Sequence, residues 1–154
     1  MFKFGTIGAF KQVRNNPRCK VQKETKVGEV VVLDEATLKA TAPSNADQAQ
    51  GELYVVGNII DQPEVRSKKD FSLAEGDFAL SFNLADLKEL PVELSADVIA
   101  DDYASVAKGD TLVASTDGSG KWVKGDGASF KAYLEVLEKS TFGGKGVYAI
   151  VRTN

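Results

Sequence analysis

Three times along this chain a glycine followed by an acidic residue stands immediately before a strand-type run: Gly28-Glu29 before Val30, Gly76-Asp77 before Phe78, and Gly109-Asp110 before Thr111. Glycine takes a positive φ there without steric cost, so each site reads as a tight turn with the acid at the head of the strand, facing water. Short strands joined by repeated tight turns are the layout of an all-β sandwich or small barrel. The three segments differ too much to be a sequence repeat and stand as three uses of one turn chemistry.

The runs between the turns support that layout. Residues 29–33 and 51–60 are rich in β-branched and apolar residues and are expected as central strands. Phe78, Leu80, Phe82 and Leu84 recur at a spacing of two, which predicts one apolar sheet face built from those four side chains. Residues 133–139 and 146–152 flank a stretch in which Gly143-Gly144 suits a hairpin turn. Shorter strands are expected at 111–114, at 121–123 after the turn 117–120, and around 91–99. Helix is confined to 46–50 and to one or two turns carrying Leu84, Leu87 and Leu90 ahead of Pro91. The expected fold is all-β (mainly β): a small β-barrel or sandwich with an N-terminal extended arm over 1–26, a single β-rich domain over 27–154, and little helix. Residues 61–104 read as a candidate insertion.

Composition removes most enzyme classes. There is no histidine, which excludes Ser-His-Asp and Cys-His nucleophilic catalysis, imidazole-held zinc and a histidine pH switch. The one cysteine, Cys19, forms no internal disulfide or multi-cysteine cage, and reads as a small apolar residue at a strand start. No apolar run approaches the roughly 18 residues of a membrane helix. Residues 1–10 are too interrupted by glycine for a secretory leader.

Motif fragments fail on context. Gly144-Lys145-Gly146-Val147-Tyr148-Ala149 has the glycine spacing of a dinucleotide-binding turn, but that turn must open a helix inside a βαβ unit. Gly118-Ser119-Gly120-Lys121 lacks the remaining glycine and hydroxyl of a phosphate loop. Ser105 and Lys108 have the spacing of a serine nucleophile and lysine base, yet Lys108 runs straight into Gly109-Asp110 and a strand. Asp97, Asp101 and Asp102 form no calcium-loop pattern and read as solvated carboxylates. Trp122 is either a core plug or an interface platform. No catalytic, cofactor-binding or metal-binding residue is expected, and no cofactor.

Charge is laid out unevenly. Residues 1–26 hold seven basic residues and one acid, Glu24, for a net +6, whereas the remainder of the chain carries −9. Such a segment can reach a separate acidic surface, with Phe2, Phe4 and Phe10 as apolar anchors and Arg14, Arg18, Lys20 and Lys23 supplying charge. These seven are the candidate partner-binding residues. Nucleic acid is disfavoured, because the basic residues are dispersed singly and the acidic body repels phosphate.

With the Gly-acid turns in place, the chain resembles the small head decoration, or capsid cement, proteins of tailed bacteriophages. The residues that carry the resemblance are 27–33, 51–57, 107–113 and 118–123, within the stretches 1–60 and 105–154; 61–104 carry no match. The resemblance implies a compact barrel, an arm reaching over neighbouring subunits, and a homo-oligomer, commonly a trimer, on the major capsid protein lattice. It implies the virion surface as the location, with the host cytoplasm during assembly, and no membrane. Biotinyl and lipoyl carrier domains share the Gly-Asp turns, but the cofactor-accepting hairpin lysine with its flanking residues is missing around 118–122. A carbohydrate- or peptide-binding β module using Trp122, Tyr54, Tyr103 and Tyr148 is the alternative expectation.

Overall fold

The computed structural model describes residues 2–4, 15–58, 71–139 and 144–154, and its layering follows from two short strands. In β5 (Val30–Asp34) and β7 (Tyr54–Val56), Val30 and Val55 point into one core while Val31 and Val56 point into another. Successive strand residues face opposite sides. A sheet in which both members of each pair are buried is therefore covered on both faces, which is why these runs are continuously apolar and not alternating.

Among the described residues the strands form two six-stranded sheets and one ribbon. The first sheet runs β1 (Phe2–Phe4), β10 (Pro91–Ser95), β14 (Gly146–Thr153), β13 (Ala132–Glu138), β11 (Thr111–Ala114) and β12 (Trp122–Lys124), antiparallel throughout. The second runs β2 (Asn15–Asn16), β9 (Ser81–Asn83), β7, β5, β6 (Lys39–Thr41) and β3 (Lys20–Val21), with β3 and β6 parallel. The ribbon pairs β4 (Thr25–Lys26) with β8 (Ser72–Leu73). One helix, α1 (Ala46–Gln50), is capped by the Asn45 side chain, which accepts the Gln48 N–H at 3.0 Å, and it seats Ala49 in the first core.

The first core lies between the sheets, where Leu134 and Val136 of β13 and Val147, Ala149 and Val151 of β14 meet Val30 and Val55. The second lies on the far face of the second sheet, where Cys19, Val21 and Val27 cover Val31, Val56 and Ala79. The fold is mainly β, as expected. The arrangement is a sandwich; no barrel closes among the described residues. Residues 15–26 supply β2, β3 and β4, and the stretch 61–104 supplies β8, β9 and β10.

The three Gly-acid turns share one geometry. Gly28, Gly76 and Gly109 have φ of 104°, 90° and 89°, and each following acid closes the turn through its own N–H, onto the carbonyls of Lys26, Ala74 and Ala107. Asp77 and Asp110 also accept a backbone N–H from Ala74 and Ala107. Glu29 departs from the expectation, for it is buried, not facing water.

The expected Phe78 to Leu84 face is corrected at Phe78. Phe78 is exposed, whereas Leu80 and Phe82 are half-buried, Phe82 packs against the first core and Leu84 is buried in it; Ala79 and Ser81 are fully buried as well. Residues 19–21 lie directly alongside, with Ala79 N–H on Cys19 O at 2.9 Å and Val21 N–H on Asp77 O at 3.0 Å. The regular strand shortens to Ser81–Asn83.

Phe82 lies over Gly57 and beside Phe2, with the two rings 6.3 Å apart. A β-carbon at Gly57 would stand 2.5 Å from Phe82 Cε2. Gly57→Ala is expected to lower the urea midpoint, by about 1–3 kcal/mol of stability, through displacement of that ring.

Candidate partner-binding surface

The seven candidate residues divide by how the fold holds them. Phe2 pairs in β1 with Leu94 and packs, half-buried, against both cores. Phe4 pairs with Val92 through its backbone. Phe10 and Arg14 lie outside the described residues. Arg18 and Lys20 are exposed. They flank Cys19, which points the other way into the second core. Lys23 is half-buried, and its ammonium donates to the carbonyls of Gly118 at 2.6 Å and Ser119 at 2.8 Å. Alternation through 18–21 thus turns the charges outward and the apolar residues inward.

Lys23 belongs to a latch between the N-terminal segment and the 117–122 turn. Val30 N–H donates to Gly120 O at 2.8 Å, and Trp122 Nε1–H donates to Gly28 O at 2.9 Å. Within the latch sits Glu29, 6% exposed, whose Oε2 has no hydrogen-bond partner. A β-carbon at Gly120 would come within 3.2 Å of that oxygen, so glycine is needed there both for space and for its φ of 77°. Burial pushes the Glu29 carboxyl above the usual carboxylate range, and Lys23, the Lys26 backbone and the charges of Lys121 and Lys26 offset this only in part. The folded state therefore holds the Glu29 proton more tightly than the unfolded chain. The stability this gives is present below the ordinary glutamate value of about 4.3 and lost as pH rises through the raised folded value. Glu29→Gln is expected to flatten that fall and to raise the urea midpoint at neutral pH, as read from denaturation series at several pH values.

Elsewhere the carboxylates are committed to local structure. Asp97 accepts from the Ser95 hydroxyl and pairs with Lys26 at 3.2 Å. Burial opposes its ionisation, but these partners hold it below the usual range. Hydrogen bonds from Ser119 and Ser115 hold Asp117 at about 2. The side chains of Asp101 and Asp102 lie outside the described ones. Among the described residues no three His, Cys, Asp or Glu side chains gather as a metal site. Ser105 closes a 3-10 turn and Lys108 stands in the next turn, both exposed.

Trp122 is a core plug, 1% exposed. The Tyr103 hydroxyl donates to Gly146 O at 3.1 Å. Tyr54 lines an open cleft of about 390 Å³ with Val32 and Leu33, rimmed by Glu35, Asp47 and Glu52. Its hydroxyl donates to Glu52 at 3.1 Å, and burial, then Glu52, pushes its pKa up. The three carboxylates suit that cleft to cations and set it against anions.

Sequence reasoning missed two exposed residues near Lys20, namely Leu38 and Phe78. Lys20 N–H donates to Leu38 O at 2.9 Å, and Lys20 bridges Phe78, with its ammonium 4.8 Å from the ring centroid. No local signal marks either one, since both look like core residues in the sequence. The chain matches no protein-family model and no curated protein. No helix among the described residues is long and apolar enough to cross a membrane.

Proposed function

We propose that this chain is a non-enzymatic virion structural protein that binds and stabilises the outer surface of a bacteriophage capsid, as head decoration proteins do. One observation carries the reading: within the basic N-terminal segment, Cys19, Val21 and Lys23 are built into the fold, while the side chains of Arg18 and Lys20 are exposed on the outer layer. These two exposed positive charges are accessible to an acidic partner, here the major capsid protein lattice. Binding only to the assembled shell would stabilise it in proportion to occupancy, with no chemistry required. The proposal includes a homo-oligomer, a trimer by resemblance, on the capsid surface. The carbohydrate-module alternative loses its main platform with the burial of Trp122.

The test is binding to emptied phage heads prepared without this protein. Wild type should attach, and more weakly as salt rises. Arg18→Glu with Lys20→Glu should weaken attachment at low salt by about 10-fold or more, since exposed pairs contribute up to ~1 kcal/mol each. Unchanged attachment by the folded double variant would remove Arg18 and Lys20 from the interface. A wild type that binds no head but retains a glycan or peptide would favour the β-module reading.

A further inference from the structure

We infer that Glu29 makes the latch between the N-terminal segment and the 117–122 turn pH-sensitive: the turn is held closed while the Glu29 carboxyl carries its proton and opens locally when that carboxyl ionises. This conformational device does not depend on the capsid reading. Its basis is an oxygen walled in with nothing to bond to. Glu29 is buried, its Oε2 has no hydrogen-bond partner, and Gly120 covers that oxygen so closely that a β-carbon there would stand 3.2 Å away. A neutral carboxyl tolerates such a place far better than a carboxylate does, because burial penalises the charged form.

The turn is the wall that yields at least cost. Residues 116–121 bring no side chain to either core. Hydrogen bonds tie them to the rest of the fold: Gly118 N–H to Pro43 O at 2.9 Å, Val30 N–H to Gly120 O at 2.8 Å, and the Lys23 ammonium to the Gly118 and Ser119 carbonyls. On the other side the Glu29 backbone is fixed to the second sheet by Val56 N–H on Glu29 O at 3.0 Å, and Val30, Val31 and Val56 around it are buried. A segment held by hydrogen bonds with little buried apolar surface opens at a fraction of the global cost. Lifting the turn lets water reach Oε2 and leaves both cores in place.

The charges around Glu29 leave it as the group that titrates. Lys23 and Lys26 act on it from the N-terminal segment and Lys121 from the turn, and they offset its burial only in part. Lys23 spends its ammonium on the two carbonyls, and Lys26 pairs with Asp97 at 3.2 Å. Glu24 accepts from the Ser72 hydroxyl, and Tyr54 of β7 donates to Glu52. Residues 42–44, against which the turn lies, carry no ionisable side chain. Asp117, held at about 2, and Asp97, held below the usual range, keep their charge through the window, and the chain has no histidine. The closed turn raises the Glu29 value, so proton and closed turn favour each other. Opening therefore grows as pH rises from the ordinary glutamate value of about 4.3 through the raised one.

Amide hydrogen exchange of the full chain, corrected for the intrinsic pH dependence of exchange, tests the latch. Val30 and Gly118 N–H both cross it, and their protection should fall about 5-fold or more between about pH 4.5 and about pH 8, the lower end of such couplings. At either pH, sub-denaturing urea should leave their exchange unchanged, since lifting the turn exposes little surface, while Val136 and Val151, in β13 and β14, should exchange faster as urea is added. Glu29→Gln, which cannot ionise, should remove the fall with pH. Protection at Val30 and Gly118 that is constant with pH, or that falls equally in Glu29→Gln, overturns the inference. So does a urea dependence there as steep as at Val136 and Val151, which would mean that the turn opens only with the whole fold. Should Glu29→Gln not fold, the wild-type pH and urea series decide by themselves.

Discussion

Trp122→Ala is expected to lower stability by about 3–5 kcal/mol, a large share of the 5–15 kcal/mol that holds a typical domain folded. The indole is 1% exposed in the first core, next to Ala114 in the β11–β12 pairing, and its strand carbonyl accepts the Ala100 N–H at 2.8 Å. Its ring N–H crosses to the Gly28 carbonyl at 2.9 Å, and Gly28 N–H donates to Val56 O at 2.8 Å. One side chain from an edge strand of the first sheet thereby fixes the turn that starts β5 in the second. Trp122→Phe separates the two contributions: it keeps most of the packing and leaves Gly28 O without its donor, an expected loss of about 1–3 kcal/mol. Urea denaturation followed by far-UV circular dichroism measures both, since the substitution removes the chain's one tryptophan. A phenylalanine variant as stable as wild type would show that the bond to Gly28 contributes nothing net.

What could be read from the sequence was whatever leaves a periodic or compositional trace. In β13, Ala132, Leu134 and Val136 are buried while Tyr133 and Glu135 are half-buried, and a seven-residue strand is long enough for that alternation to show. Residues 111–114 and 46–50 form the expected strand and helix. The second core left no such trace, because β2, β3, β4 and β8 are two residues each and pair across long separations, as Thr25 does with Leu73. Phe78 was misplaced because the regular strand begins only at Ser81, so the spacing of two that holds for Phe82 and Leu84 against the first core does not extend back to Phe78. The charge asymmetry did mark Arg18 and Lys20. It could not separate them from Lys23, whose carbonyl partners lie about a hundred positions later at Gly118 and Ser119.

That tie changes what removal of the basic segment would do. Deleting residues 1–26 is expected to abolish cooperative unfolding, not merely to detach an arm. The deletion takes away Cys19 and Val21, both 0% exposed, and Thr25 at 2%, and uncovers Val31, Val56 and Ala79 on the sheet beneath. Losing the burial of even two or three such side chains, at about 1.5–3 kcal/mol for a valine, consumes most of a domain's stability, before counting β3, β4 and the Lys23 latch. The 27–154 fragment should be poorly soluble and show a broad urea transition by circular dichroism. Its failure to attach to any partner would then say nothing about recognition, so the charge reversals at Arg18 and Lys20, on exposed side chains, are the informative changes. A soluble fragment with a sharp transition at the wild-type midpoint would mean that the second core is not what holds this layer of the sandwich.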